Sequence, residues 1–395
     1  MLTPMKPNLN RLVSKRNDHD FVDASDTVLT NANGDTVGVD TVTDVRTNGI
    51  MKIAWMSDWD AWGNGKGYTV HNNNMREQAV KHGAELSSIE DCEIALDVVI
   101  PPTYRPVPGK FNVLFTMYEM DQIPPNWIPY IQRADMLIVP CQHNKHIFAQ
   151  HFDGPIEVCQ EGFNPKDFPY VKRETPAADK HFNFLWVGAS NPRKGYEFLC
   201  GAWELWLRTQ PQEVIKKTRL IMKTTKPGED ESIKSMFNSI IDNRKLPFED
   251  LKALYYAAHA FVLPSLGEGW GLTLHEAQAS GLPCIYTPWS GPVDFMLPKS
   301  SYPLKFKIGG MAAIRIGTDG SRERQHIGNV AKPDVFHIVK RMEQVYYDYE
   351  RATAKAKKAA AHLHEHFTWD DSGDVFMEIL TRRYAEWKSK QKRSA

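Results

Sequence analysis

The segment PSLGEGWGLTLHEAQASGLPCI, residues 264–285, constrains the fold more than any other stretch of the chain. The apolar run AFVLP (260–264) reads as a buried strand that stops at Pro264. A glycine-rich turn follows, helical spacing runs over 272–280 to a stop at Gly281, and PCIYT (283–287) reads as the next strand. Strand, turn, helix and strand in that order are a βα unit of a mostly parallel sheet. Ligands bind such sheets beyond the carboxyl ends of the strands, where the next helix offers unpaired N–H groups and a positive dipole end. Glu268 falls in the turn and Glu276 on the first turns of the helix, so both can face a ligand over the helix N-terminus. Such a site suits a diphosphate, and a carboxylate that accepts two hydroxyl hydrogen bonds suits the vicinal diols of ribose and of a hexose.

The same alternation runs through most of the chain. KIAWMS (52–57) reads as a buried strand that enters the loop GNGKGY (63–68), and a helix fits Thr69 to His82. Short apolar runs at 97–100, 112–116, 136–139 and 155–158 alternate with helix-length stretches. Residues 164–181 gather Pro, Lys, Asp and Glu without periodicity, as a linker does. The pattern then restarts with strand 182–188, a helix from Gly195, strand 219–223, a helix around 231–243 and a helix over 249–258. Residues 334–390 read as two helices broken at His366–Trp369, with a basic tail after them.

A chain of 395 residues exceeds what one hydrophobic core usually serves. The expected organisation is an α/β chain of two facing Rossmann-like βα domains, at 51–175 and 176–369, with a last helix over 370–395. Residues 1–50, polar and without helical periodicity, are expected to be an extension or a hairpin outside that core. The loops after Ser57, Gly188, Lys223 and Pro264 are expected to line an interdomain cleft.

The charge balance narrows the function classes. Forty-eight basic and 48 acidic side chains cancel, so no global field draws the chain to nucleic acid or to an anionic membrane. Five scattered cysteines without C-x-x-C spacing read as reduced structural thiols. The N-terminus lacks an apolar signal region, and nowhere do 18 apolar residues run together, so a cytoplasmic chain without a transmembrane segment is expected. Asp58-Trp59-Asp60 imitates a D-x-D metal motif, and His362 and His366 share a helical face without an acidic third ligand. No bound catalytic metal is expected.

Glu268, Gly269, Gly271, Leu272, Glu276, Ala277, Gly281 and Pro283 stand where the E-x7-E signature of the GT-B glycosyltransferases has them, and the segment most resembles the retaining family numbered four. That resemblance implies a GT-B fold whose C-terminal helix crosses back to the first domain. It implies that Glu276 holds the ribose hydroxyls and Glu268 the donor sugar. Backbone N–H groups from Gly271 through Leu272 to Thr273 would meet the diphosphate, with Gly269 and Trp270 completing the donor-binding turn. In VGASNPRKG (187–195), Arg193 and Lys194 would meet the leaving diphosphate, where fixed cations stabilise charge that grows in the transition state. Many relatives carry Arg after the V-G pair, where this chain has Ala189; Arg193, or Lys223 from the next strand end, would supply that charge. By the same resemblance the loop with Gly63, Gly65 and Gly67 would lie against the donor phosphates and the acceptor. Glu119 in TMYEMDQIPPNW (116–127) would orient acceptor or donor sugar, with no histidine nearby of the kind some relatives use there.

The implied reaction moves a hexosyl group from a nucleotide sugar, a UDP- or GDP-hexose with UDP-glucose foremost, to an acceptor hydroxyl. The implied course is front-face attack without a metal or a bound cofactor, the leaving phosphate oxygen taking the acceptor proton. Acceptors consistent with the resemblance are a glycan, a lipid-linked sugar, or a hydroxymethylated base in DNA. The competing readings are a sugar-nucleotide epimerase, a phosphorylase, and a binding protein without turnover.

Overall fold

The computed structural model describes residues 51–57, 66–224, 236–316 and 322–394. The expectations placed on residues 1–50, on Gly63 and Gly65, on Asp58-Trp59-Asp60 and on 231–235 lie outside them.

Two six-stranded parallel sheets carry the fold. The first contains β1 (Met51–Trp55), β2 (Ala84–Leu86), β3 (Ile94–Val98), β4 (Phe111–Phe115), β5 (Met136–Val139) and β6 (Ile156–Val158), in the order β2-β1-β3-β4-β5-β6. The second contains β7 (Phe182–Val187), β8 (Thr218–Lys223), β9 (Ser239–Asp242), β10 (Ala260–Leu263), β11 (Cys284–Tyr286) and β12 (Tyr302–Pro303), in the order β12-β11-β10-β7-β8-β9. Strands β3, β4, β5 and β10 are buried at every position, because helices cover both faces of a parallel sheet. In each sheet the order reverses direction beside the first strand, which opens a crevice at the carboxyl ends.

The second core is the more aromatic. Trp203 and Trp206 stack in the helix Tyr196–Thr209, and Phe184 packs edge-on against both. Trp206 still donates its Nε1–H to Thr218 Oγ1 at 3.1 Å, so the ring is buried without an orphaned donor.

Three sequence expectations need correction, and one pair of strands was not expected. The strand expected at 97–100 lies at Ile94–Val98, because Ile94 registers against both Ile53 of β1 and Phe111 of β4 while Pro101 ends the run. Where a helix was expected around 231–243, residues Ser239–Asp242 are strand β9, drawn into the sheet by parallel pairing with β8. The C-terminal stretch holds three helices, Val335–Tyr347, Tyr349–His366 and Trp369–Ser394. Asp348 breaks the first two with φ −127° and ψ 59°, a stop that no Gly or Pro announces. Finally, β13 (Phe306–Ile316) and β14 (Arg322–Pro333) form an antiparallel hairpin that the sequence reading did not foresee.

The helix Trp369–Ser394 packs on the first sheet: Phe376 meets Trp55, and Tyr384 and Trp387 meet Phe111. Arg382 and Arg383 pair with Glu157 at the edge of β6. Among the described residues no helix is long and apolar enough to cross a membrane.

Candidate functional site

The site grows from the turn after β10. Glu268 donates its backbone N–H to Ser290 Oγ (2.8 Å) and accepts from Gly291 N (3.1 Å), which fixes the turn from both sides. The residue is only 3% exposed. One oxygen, Oε2, accepts from Lys194 Nζ at 2.6 Å and lies 3.4 Å from Arg193 Nη1. Burial pushes this carboxyl up, but Lys194 and then Arg193 outweigh burial and hold it below the ordinary value.

Both cations come from the turn Pro192–Lys194 after β7. Gly195 closes that turn at φ +70°, and a Cβ there would lie 1.8 Å from the carbonyl oxygen of Pro264. Glycine is therefore required for the cation-bearing turn to press on the end of β10. The contact is sealed by Leu266 N donating to Arg193 O at 2.7 Å.

The first domain contributes Glu119. Its Oε1 lies 3.0 Å from Arg193 Nη2, while Arg193 Nη1 also donates to Gly267 O at 2.5 Å. A Cβ on Gly267 would sit 2.3 Å from the Glu119 carbonyl, so the glycine turn also serves the close approach of the two domains. Arg193 thus spans two carboxylates from opposite sides of the cleft.

Beside this cluster begins the helix Leu272–Ala279, with Gly271 at its N-cap at φ +113°. Half-buried Glu276 accepts from Tyr255 Oη at 2.8 Å and, among the described residues, has no cation in contact. Burial pushes its carboxyl up to about 7, against the lowering effect of the Tyr255 hydrogen bond. Glu268 Oε1 and Thr273 Oγ1 are buried and have no hydrogen-bond partner among the described residues. Buried polar oxygens left this way are costly unless something else supplies the bond.

Other predicted residues lie apart from the cluster. Trp270 is buried in the second core, donating Nε1–H to His275 Nδ1 at 3.1 Å and packing on Phe295. Lys223 is drawn to backbone: its Nζ donates to Thr224 O (2.7 Å), Asp242 O (3.2 Å) and Arg244 O (2.5 Å), tying the ends of β8 and β9 together. Gly67 belongs to the first turn of the helix Lys66–Lys81 and not to a loop, because the helix begins before Thr69. Gly269 lies against the first domain, where its Cβ would meet Met117 Sδ at 2.5 Å. Ala189 is exposed, and Arg193 is the guanidinium that reaches Glu268. Among the described residues no group of three or more His, Cys, Asp or Glu is placed to hold a metal ion.

Sequence reasoning missed Glu161 and His71. Glu161 is buried just after β6, with Oε1 3.4 Å from Nδ1 of fully buried His71. Burial, reinforced by the charge of Glu268, pushes Glu161 up to about 8, while burial lowers His71 to about 3. Both groups therefore favour their neutral forms near pH 7. The available signal was position: an ionisable residue at the carboxyl end of a parallel strand.

Residues 181–301 match the family model described as glycosyl transferases group 1. The O-antigen chain mannosyltransferase B of Escherichia coli is 33% identical over 107 residues, which is 26% of this chain and 27% of that protein. The O-antigen chain mannosyltransferase RfbU of Salmonella typhimurium is 30% identical over 131 residues, 33% of this chain and 35% of that one. The matched stretch thus spans about a third or less of these curated relatives. Among solved structures, the sucrose-phosphate synthase of Thermosynechococcus elongatus superposes with TM-score 0.55 at 15% identity, covering 81% of this chain and 80% of that one. The trehalose-6-phosphate synthase OtsA superposes with TM-score 0.54 at 11% identity, covering 82% and 78%. The chain has a GT-B fold, and residues 181–301 of its second domain match the model of the glycosyl transferases group 1.

Proposed function

We propose that the chain transfers a hexosyl group from a nucleotide sugar to a glycan hydroxyl, with retention of configuration. The observation that carries this reading is the pair of cations Arg193 and Lys194, held at the cleft by Glu268 beside the N-terminus of the helix Leu272–Ala279. Two fixed positive charges next to unpaired N–H groups form a cradle for a diphosphate. Glu276 accepts the ribose hydroxyls, and the unpartnered Glu268 Oε1 accepts a hydroxyl of the sugar. As the glycosidic bond breaks, charge grows on the leaving phosphate, and Arg193 and Lys194 offset it without reorganising. The same phosphate oxygen takes the acceptor proton as the new bond forms on the face that the leaving group vacates.

The names of the curated relatives support mannose as the sugar and a surface-polysaccharide chain as the acceptor. They lend no support to UDP-glucose or to modified DNA. The test is a binding and transfer screen with GDP-mannose, UDP-glucose and ADP-glucose, run on the wild type and on Glu276→Ala. Binding of a GDP- or UDP-hexose that the substitution removes, with an α-linked product from an α-linked donor, is the expected result. Absence of binding to all three donors sinks the reading, and a β-linked product sinks retention.

A further inference from the structure

The β13–β14 hairpin plays no part in the reaction above, yet it is fastened into the site. Asp121 of the first domain accepts Asn329 N at Oδ1 (2.7 Å) and Asn329 Nδ2 at Oδ2 (2.7 Å), and its own N–H donates to Asn329 O at 3.2 Å. Tyr118 Oη donates to Ile327 O at 3.0 Å. Ile327 is the residue that the hairpin leaves unpaired, since Met311 registers with Gly328 and Ala312 with His326. An extra residue of this kind bends a strand and re-aims its backbone groups. Here the bend turns the Ile327 carbonyl and the Asn329 edge onto residues 118–121, and a Cβ at Gly328 would lie 2.8 Å from Met120 Cβ.

Toward its base, β14 grips the other side of the cleft. Ala331 N donates to Leu266 O at 3.0 Å, and Leu266 N donates to Arg193 O at 2.7 Å. Arg193 Nη2 then meets Glu119 Oε1 at 3.0 Å, two residues from Asp121. The contacts therefore close a ring: Asp121, Asn329, Ala331, Leu266, Arg193, Glu119 and back to Asp121. Asn144 holds the Tyr118 backbone and His143 meets the Met120 carbonyl, so the Asp121–Asn329 link is the anchor on the far side of Glu119, the one that ties it to the hairpin.

We propose that Asp121 and Asn329 form a positioning clasp that holds Glu119 against Arg193 and so keeps the cleft in the geometry needed for transfer. The proposal rests on the transferase reading. Asp121 acts through Glu119 and through the register of the two domains. Lys194 and the helix N-terminus lie outside the clasp and keep their hold on the diphosphate when it opens.

The test compares Asp121→Ala, Asn329→Ala and the exchanged pair Asp121→Asn with Asn329→Asp, in the full chain. For Asp121→Ala the expected kcat falls about tenfold, as misplacement remote from the chemistry does, while KM for the donor stays within about threefold. Amide hydrogen exchange over 117–121 and 327–331 speeds up in the same variant, and the exchanged pair brings both kcat and protection back toward the wild type. A kcat unchanged in Asp121→Ala, or a loss that the exchanged pair does not recover, overturns the clasp. Should Asp121→Ala fail to fold, Asn329→Ala, which removes only the Nδ2 bond, is expected to lower kcat about threefold, and no change overturns the proposal. If the wild type transfers from no donor, the transferase reading fails separately. Hydrogen exchange over 117–121 then decides the clasp alone, with unaltered protection in Asp121→Ala counting against it.

Discussion

Glu268 and Glu276 belong to one 22-residue segment and sit in opposite electrostatic settings. Glu268 is the more buried, yet two cations hold it ionised; Glu276 meets a neutral phenol and is pushed up to about 7. Depth of burial does not decide protonation; the sign of the nearest partner does. The turn is thus a fixed charge cluster, balanced before any ligand arrives. The helix end is a titrating acceptor whose capacity changes within the neutral range.

The comparison breaks most forcefully at Lys194. Its removal leaves a buried carboxylate short of its closest cation, and the expected loss is roughly 3 kcal/mol of unfolding free energy, read from urea denaturation. If the transferase reading holds, turnover falls about 100-fold as well, since a cation facing the leaving group is gone. Adding Glu268→Gln to Lys194→Ala removes the unpaired charge, so stability returns while activity does not. Unchanged stability in Lys194→Ala would show that Glu268 is not held by that ammonium.

Glu276→Ala probes the other setting. Loss of a hydrogen-bonding carboxylate is expected to weaken nucleotide-sugar binding by roughly 2 kcal/mol, about 30-fold, with little effect on stability. Calorimetric titration decides this, and an affinity within about twofold of the wild type removes Glu276 from the donor site.

The pH dependence sharpens the contrast further. Glu276 titrates near 7 in the folded chain against an ordinary 4.5, so between those values the folded form keeps a proton that the unfolded form has lost. Stability from this group is therefore present at pH 4.5 and below and declines as pH rises toward 7. If the transferase reading holds, donor binding is expected to run the other way, strengthening between pH 6 and 8 as the carboxylate becomes able to accept both hydroxyls. In Glu276→Gln both trends flatten. A donor-affinity profile that keeps its rise in that variant assigns the titration to another group, with Glu161 the next candidate.

Much of this was legible in the sequence because it is local. The turn and helix at 264–280 are a contiguous run whose strand, glycines and helix stop each announce themselves, and Arg193 and Lys194 lie in the first turn after the strand Phe182–Val187. What escaped depends on partners far along the chain. Strand β9 exists through its pairing with β8, and the β13–β14 hairpin lacks sharp alternation because Gly309, Gly310 and Gly328 interrupt it. Glu161 and His71 meet only after the first sheet assembles, ninety residues apart. Lys223 shows the converse: a basic residue at a strand end stands out in sequence, and only the folded structure shows three carbonyl groups meeting its ammonium.

Trp270 gives the smallest expected effect and separates the motif's packing from its chemistry. It stands between Gly269 and Gly271, at the centre of the turn, yet its ring is buried against Phe295 and its Nε1–H is spent on His275 Nδ1. Trp270→Phe keeps an aromatic ring in that space and leaves the His275 nitrogen without its donor. The expected cost is about 1 kcal/mol of stability, read as a lowered urea midpoint at constant m-value. Donor affinity should stay within about twofold, because Glu268, Lys194 and the helix N-terminus are untouched. A large loss of affinity with stability preserved would place the indole in the donor site and undo the division between the charged turn and the aromatic layer beneath that holds it in place.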